Sequence, residues 1–274
     1  MNRHSSPVRL ANGQAHQARK RFGQNFLHDA AVIDRIIDAI DPGKDDHLLE
    51  VGPGQGALTR PLAASKARLD CVELDRDLAA YLQKEFLDDG NVTIHQQDIL
   101  KFDLPSLADP DHRFRVIGNL PYNISTPVIF HLLQHHRLIR DMTFMLQLEV
   151  VQRLAAQPGG KNYGRLGLMA QYYCSIEHLF NVPSAAFTPK PKVSSAIVRL
   201  VPHEVFPVQA KDVNALQNVI RTAFNQRRKT LKNSLRNLIS VDRLSELPID
   251  LGQRPENLSL AEFVLISDKL DEQD

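Results

Sequence analysis

Cysteine is scarce in this sequence. Cys71 and Cys174 are the only two among 274 residues, and neither has a CxxC neighbour or a nearby histidine pair. That excludes a disulfide framework and a zinc cluster. Long hydrophobic runs are missing as well: the longest unbroken apolar stretch, Leu78 to Leu82, has five residues against the ~18 of a membrane span, so no transmembrane helix is expected. The first 28 residues hold five Arg/Lys and no acid, yet never more than two consecutive apolar residues. They lack the apolar stretch of a secretory signal, and the chain is expected to stay in the cytosol. Nor is one sign of charge in excess, since 33 Lys+Arg against 32 Asp+Glu leave +1. The total therefore gives no bulk pull toward nucleic acid or membrane, and distribution must decide.

What is present is enough apolar residue, 43% of the chain, for about two domains. From about residue 31, short apolar strands alternate with helical segments, the pattern of an α/β domain with a parallel sheet covered by helices. Strands are expected at His47 to Gly52, Leu69 to Asp75, Val92 to Asp98 and Phe114 to Leu120, each near-continuously apolar as buried parallel strands are. Helices are expected at Ala31 to Ile40, Gly56 to Ala64, Leu78 to Phe86 and Pro127 to His136, the last with proline in its first turn. Met142 to Leu148 and Ser194 to Val201 read as further strands, with a helix around Leu166 to Tyr173 between them. Prolines at 202 and 207 mark a break, after which the periodicity is helical. The expected division is a basic arm over 1–30, an α/β domain over 31–206 and a helical domain over 207–274. The helical part is electrically split: Arg221 to Arg236 holds six Arg/Lys and no acid, whereas Asp242 to Asp274 holds nine acids and three bases.

The first strand runs into Glu50-Val51-Gly52-Pro53-Gly54-Gln55-Gly56-Ala57. Glycines between a strand and its helix let the backbone approach a nucleotide-like ligand that a Cβ would exclude. Gly52, Gly54 and Ala57 also satisfy the permissive dinucleotide fingerprint, with Glu73 where a ribose-binding acid belongs, so this loop alone leaves a nicotinamide enzyme open. Glu73 and Asp98 end the second and third strands and should face the ligand edge of the sheet, whereas Asp75 or Asp77 reads as a helix cap.

The fourth strand ends in Gly118-Asn119-Leu120-Pro121-Tyr122-Asn123-Ile124-Ser125. An amide, a proline and an aromatic ring at that edge suit methylation of an exocyclic amine. Such an amine shares its lone pair with the base and is a poor nucleophile until acceptors hold its hydrogens. The Asn119 side-chain oxygen and the Leu120 carbonyl would accept, Pro121 would stiffen the loop, and Tyr122 would stack on the extruded base. With Lys20-Arg21-Phe22-Gly23-Gln24-Asn25-Phe26-Leu27, Phe187-Thr188-Pro189-Lys190-Pro191-Lys192-Val193-Ser194 and Ala223-Phe224-Asn225-Gln226-Arg227-Arg228-Lys229-Thr230-Leu231, the chain resembles, over nearly its whole length, the ribosomal RNA adenine dimethyltransferases of the bacterial small-subunit branch. The resemblance implies a Rossmann-like fold and S-adenosylmethionine as methyl donor, with no metal. It implies that Asn25, Leu27, Gly52, Gly54, Glu73, Asp98 and Asn119 bind the donor, and that Asn119, Leu120, Tyr122 and Phe187 handle the target, Phe187 facing Tyr122 across the base. The implied substrate is a pair of neighbouring adenines in small-subunit ribosomal RNA, within an assembling 30S-like particle, and the implied state is a monomer. The family usually has a lysine where this chain has Leu148, and a small hydroxyl residue where it has Gly167.

Arg228, Lys232 and Arg236 recur every four residues, so one helix would carry them as a column of charges ~6 Å apart, close to phosphate spacing. Leu231, Leu235 and Leu238 would face the interior. Arg227, the arm residues Arg19, Lys20 and Arg21, and the pair Lys190 and Lys192 complete the expected RNA-binding surface. His131 and His135 stand at helical spacing, but Phe130, Leu132 and Leu133 mark an ordinary amphipathic helix rather than a metal site. A non-catalytic RNA-binding assembly factor is the alternative outside enzymology.

Overall fold

A computed structural model describes residues 18–19, 23–109, 112–226 and 228–271. Lys20, Arg21 and Arg227 lie outside these residues. A seven-stranded sheet is built from β2 (His47–Val51), β3 (Arg68–Glu73), β4 (Val92–Gln96), β5 (Phe114–Asn119), β6 (Ile139–Gln147), β7 (Cys174–Val182) and β9 (Ser195–Pro202), in the order β4-β3-β2-β5-β6-β9-β7. The strands β4, β3, β2, β5 and β6 are parallel, and β9 runs antiparallel to β6. Every residue of β2 is buried, as a central strand covered on both faces requires. A two-stranded sheet joins β1 (Phe26–Leu27) to β8 (Phe187–Thr188), pairing Phe26 with Thr188 and Leu27 with Phe187.

From β2 the chain winds outward through β3 and β4, then returns to the other side of β2 as β5. The point between β2 and β5 where winding reverses leaves a crevice at the carboxyl ends of the strands, because the loops on its two sides diverge. Helices follow their strands as expected: α1 (Ala30–Ile40), α2 (Thr59–Ala64), α3 (Arg76–Glu85) and α4 (Ser125–Gln134), the last carrying Pro127 in its first turn. Asp29 caps α1 by accepting from the Val32 amide at 3.1 Å, and Asp75 caps α3 through the Asp77 amide at 3.1 Å.

The chain divides into two compact units: the described residues up to Val151 with Glu177–Pro202, and Gln152–Ile176 with His203 onward. This corrects the single boundary expected near residue 206, because the segment 152–176 makes its contacts with the later helices. Its helices are the C-terminal part of α5 (Leu148–Leu154) and α6 (Arg165–Tyr173). Within the second unit the Tyr163 hydroxyl donates to the Leu258 carbonyl at 2.9 Å, and its ring meets Phe224 edge-on. The Gly159 amide donates to the Glu256 carbonyl at 2.7 Å. The remaining helices are α7 (Val213–Phe224), α8 (Leu231–Leu235), α9 (Val241–Ser245) and α10 (Leu260–Asp271).

The basic column is corrected too. Helix α8 has only five residues, so Arg228 precedes it and Arg236 is its C-cap. The Leu231 and Lys232 amides donate to the Gln253 and Leu251 carbonyls, which fixes the chain there as the start of a helix rather than its middle. Arg228, Lys232 and Arg236 are all exposed, Leu231 and Leu235 are fully buried, and Leu238 is half-buried.

Candidate active site

The crevice beyond β2 is lined by the glycine loop, by Glu73 and Leu74, by Gln97 and Asp98, and by residues Asn119 to Ile124. Gly52 has φ of 69°, a left-handed conformation, and a Cβ built there meets no protein atom within 4 Å. Glycine thus supplies both the turn and an open cradle. The Glu73 carboxylate braces the loop from the next strand, one oxygen accepting from the Gly54 amide at 3.0 Å and the other from the Asp75 amide at 2.8 Å. Burial pushes this carboxyl up from its ordinary value. Asp98 begins the turn Ile99–Lys101 and accepts from the Leu100 amide at 3.0 Å.

The segment from Gly23 to Leu27 also lines the crevice, with the Phe26 ring against Gly54. It is held from two directions. Pairing of β1 with β8 fixes one end, and at the other the Arg19 guanidinium donates to Asp75 at 2.7 Å and to Asp77. Gln24 joins this cluster through Asp75 at 3.1 Å, and its side-chain oxygen accepts from the Arg19 amide at 2.8 Å. Arg19, expected on the RNA surface, is thus paired with two carboxylates at the start of α3.

Across the crevice, Asn119 ends β5, and its side-chain amide donates to the Asn25 carbonyl at 3.0 Å. Leu120 follows with its side chain buried and its amide on the Met145 carbonyl at 3.3 Å. Tyr122 is half-buried, and its phenol oxygen lies 2.6 Å from Ser195 Oγ. Phe187, expected to face Tyr122 across the base, is 2% exposed and lies in the core cluster with Leu27. The β1–β8 pairing places both side chains inside, where burial of an aromatic ring is favourable. Lys190 and Lys192 are exposed on the stretch between β8 and β9.

Two residues, one lining the crevice and one behind Tyr122, carry no expected role. Glu50, on β2, lines it at 2% exposure, accepting from the Cys71 thiol at 3.7 Å. Burial, reinforced by the Glu73 charge, pushes its carboxyl up to about 7. An acid inside an otherwise apolar buried strand was the signal for it. Ser195 is the other, and no pattern in its neighbours marks it.

A family model described as ribosomal RNA adenine dimethylase matches residues 15–272. The chain belongs to that family. It is a methyltransferase acting on ribosomal RNA adenine, with S-adenosylmethionine as methyl donor, and the nicotinamide alternative falls away. The open cradle at Gly52 and the carboxylates of Glu73 and Asp98 fit the donor's nucleoside. "Ribosomal RNA small subunit methyltransferase A" of Pseudomonas putida is 59% identical over 258 residues, covering 94% of this chain and 97% of its own. The protein of that name from Marinobacter nauticus is 56% identical, covering 95% and 94%. Among solved structures, a dimethyladenosine transferase from Plasmodium falciparum aligns with a TM-score of 0.75 at 26% identity, over 90% of this chain and 98% of its own. The 23S rRNA methyltransferase ErmE aligns with a TM-score of 0.69 at 25% identity, over 90% and 100%.

Proposed function

We propose that this chain transfers two methyl groups to the exocyclic amine of each of two neighbouring adenines in small-subunit ribosomal RNA. It acts as a monomer in the cytosol, on an assembling small-subunit particle. The observation that carries this reading is the Asn119 amide. Its nitrogen is committed to the Asn25 carbonyl, so its oxygen is left to accept from the target amine at the mouth of the donor crevice. Bound S-adenosylmethionine supplies an electrophilic methyl group. Asn119 and the Leu120 carbonyl hold the amine's hydrogens and localise its lone pair, while Tyr122 stacks on the base taken out of its helix. Glu73 and Asp98 accept from the ribose hydroxyls and the adenine amine of the donor, and Asn25, Leu27, Gly52 and Gly54 shape its cradle. Exposed Lys190 and Lys192 on one unit, and Arg228, Lys232 and Arg236 on the other, engage RNA phosphates.

The small-subunit assignment is supported by the name of the Pseudomonas putida relative. The test is to map dimethyladenosine in ribosomal RNA from cells with and without this protein, then to treat undermethylated small-subunit particles with the purified chain. Two adjacent dimethyladenosines that disappear without the protein and return on treatment are the expected result. Methylation confined to large-subunit RNA would overturn the reading.

A further inference from the structure

Tyr122 raises a chemical question that stacking does not answer. A base stacks on any flat π-face, so a phenylalanine would serve as well, and the hydroxyl needs its own reason. The structure supplies one at the ring's far end. Ser195 Oγ lies 2.6 Å from the Tyr122 oxygen, and Ser195 has no exposure. A hydroxyl buried to that degree must be partnered, and Tyr122 is its partner. The near end of the residue is fixed as well, because the Ile124 amide donates to the Pro121 carbonyl at 3.1 Å and the Ser125 hydroxyl to the Tyr122 carbonyl at 3.3 Å. Holding backbone and tip fixes the long axis of the ring, and because a phenol O–H prefers to lie in the plane of its ring, the hydrogen bond also favours the ring plane that contains Ser195 Oγ.

The topology explains how Ser195 comes to be there. Parallel strands deliver only their carboxyl ends to the ligand edge. β9 runs the other way, so its first residue, Ser195, arrives at that edge opposite Gln147, the last residue of β6. The Leu148 amide, donating to the Ser194 carbonyl at 3.0 Å, secures the same junction. The stretch 189–194, with Lys190 and Lys192, is therefore strung between β8, paired to the strand that covers the donor crevice, and the serine that holds the target ring.

We propose that the Ser195 hydroxyl is a positioning group for methyl transfer, setting the plane of the Tyr122 ring on which the target adenine stacks. This rests on the target-loop reading given above. Burial raises the Tyr122 phenol, so it stays protonated and able to donate across the pH range of the assay.

The experiment is a double-mutant cycle of Ser195→Ala and Tyr122→Phe, with methylation of undermethylated small-subunit particles as the readout. Each single variant should lower kcat roughly tenfold, the scale of one lost hydrogen bond with a partner left unpaired, and the double variant should lose no more than either. Donor affinity should stay within about twofold of wild type, a split that general loosening of the fold would not give. A wild-type kcat in Ser195→Ala, or losses that multiply in the double variant, would overturn the proposal. Should Ser195→Ala fail to fold, Tyr122→Phe alone decides, because a wild-type kcat there means the hydroxyl positions nothing. Wild-type enzyme that methylates no adenine overturns the target-loop reading itself. Active wild type with an inactive Asn119→Ala and a fully active Ser195→Ala overturns the positioning role only.

Discussion

The side chain of Asn119 and the backbone carbonyl of Asn25, 94 residues apart in sequence, are joined by a 3.0 Å hydrogen bond. The amide proposed to meet the target is thus oriented by a segment that lines the same crevice. Asn119→Asp keeps an acceptor but sets a carboxylate against a carbonyl, so the residue should turn away. We expect methylation to fall by about 100-fold or more in Asn119→Asp and Asn119→Ala alike, with particle binding nearly unchanged. Single-turnover methylation alongside particle affinity checks this, and substantial activity in the aspartate variant would show that orientation by Asn25 is immaterial.

Arg19 gives a prediction that separates donor from RNA. Tied to Asp75 and Asp77, it braces the segment that lines the crevice. Arg19→Ala should weaken donor binding by roughly three- to tenfold, in keeping with partly buried ion pairs and one hydrogen bond to a charged group. The log-log salt slope of particle binding should not change, whereas loss of a phosphate contact would reduce it by about one. Calorimetry of the donor and a salt series on particles distinguish the two.

Glu50 sets a pH dependence of stability. With its carboxyl raised by burial to about 7, the folded chain binds a proton that the unfolded chain gives up near the ordinary glutamate range. Stability from this group is therefore full below about pH 4.5 and declines as pH rises through about 7, by roughly 3 kcal/mol in total. Glu50→Gln removes the decline. Thermal melts should show the variant gaining on wild type between pH 5 and pH 8, and parallel curves for the two proteins would refute the assignment.

At Gly167 close backbone packing leaves no room for a side chain. A Cβ there would lie 2.4 Å from the Arg153 carbonyl oxygen and 3.3 Å from that of Leu154, so α6 passes directly against the end of α5. Gly167→Ser should cost about 2 kcal/mol or more by forcing backbone apart, seen as a lower Tm with donor affinity retained. An unaltered Tm would mean that the two helices separate freely.

The parallel half of the sheet was legible because strands buried on both faces are written as continuous apolar runs, as in Leu48-Leu49 and Val116-Ile117. Glu73 and Asn119 could be placed at one edge because each ends such a run, whereas Asp98 follows the mixed edge strand β4. β7 was not legible, since Ser175, Glu177 and His178 are exposed and interrupt its pattern. The two-residue strands β1 and β8 have no periodicity to read, yet their pairing is what buries Phe187. The four-residue recurrence of Arg228, Lys232 and Arg236 suggested one helix, but backbone partners more than fifteen residues downstream start that helix at Leu231. The Ser195–Tyr122 and Arg19–Asp75 contacts could not be found from sequence because the partners, 73 and 56 residues apart, are brought together only by the fold.

The reversed direction of β9 separates two walls of the crevice in the gene. The donor wall is written in residues 50–98, whereas Ser195, which meets the Tyr122 hydroxyl, arrives at the start of β9. The stretch from Pro189 to Ser194 that leads into this contact includes no residue of the glycine loop, nor Glu73 or Asp98. An all-parallel sheet offers no such separation, because each added strand reaches the ligand edge only by its carboxyl end. In this chain the partner of the Tyr122 hydroxyl and the residues lining the donor side of the crevice are therefore written in stretches of sequence about a hundred residues apart.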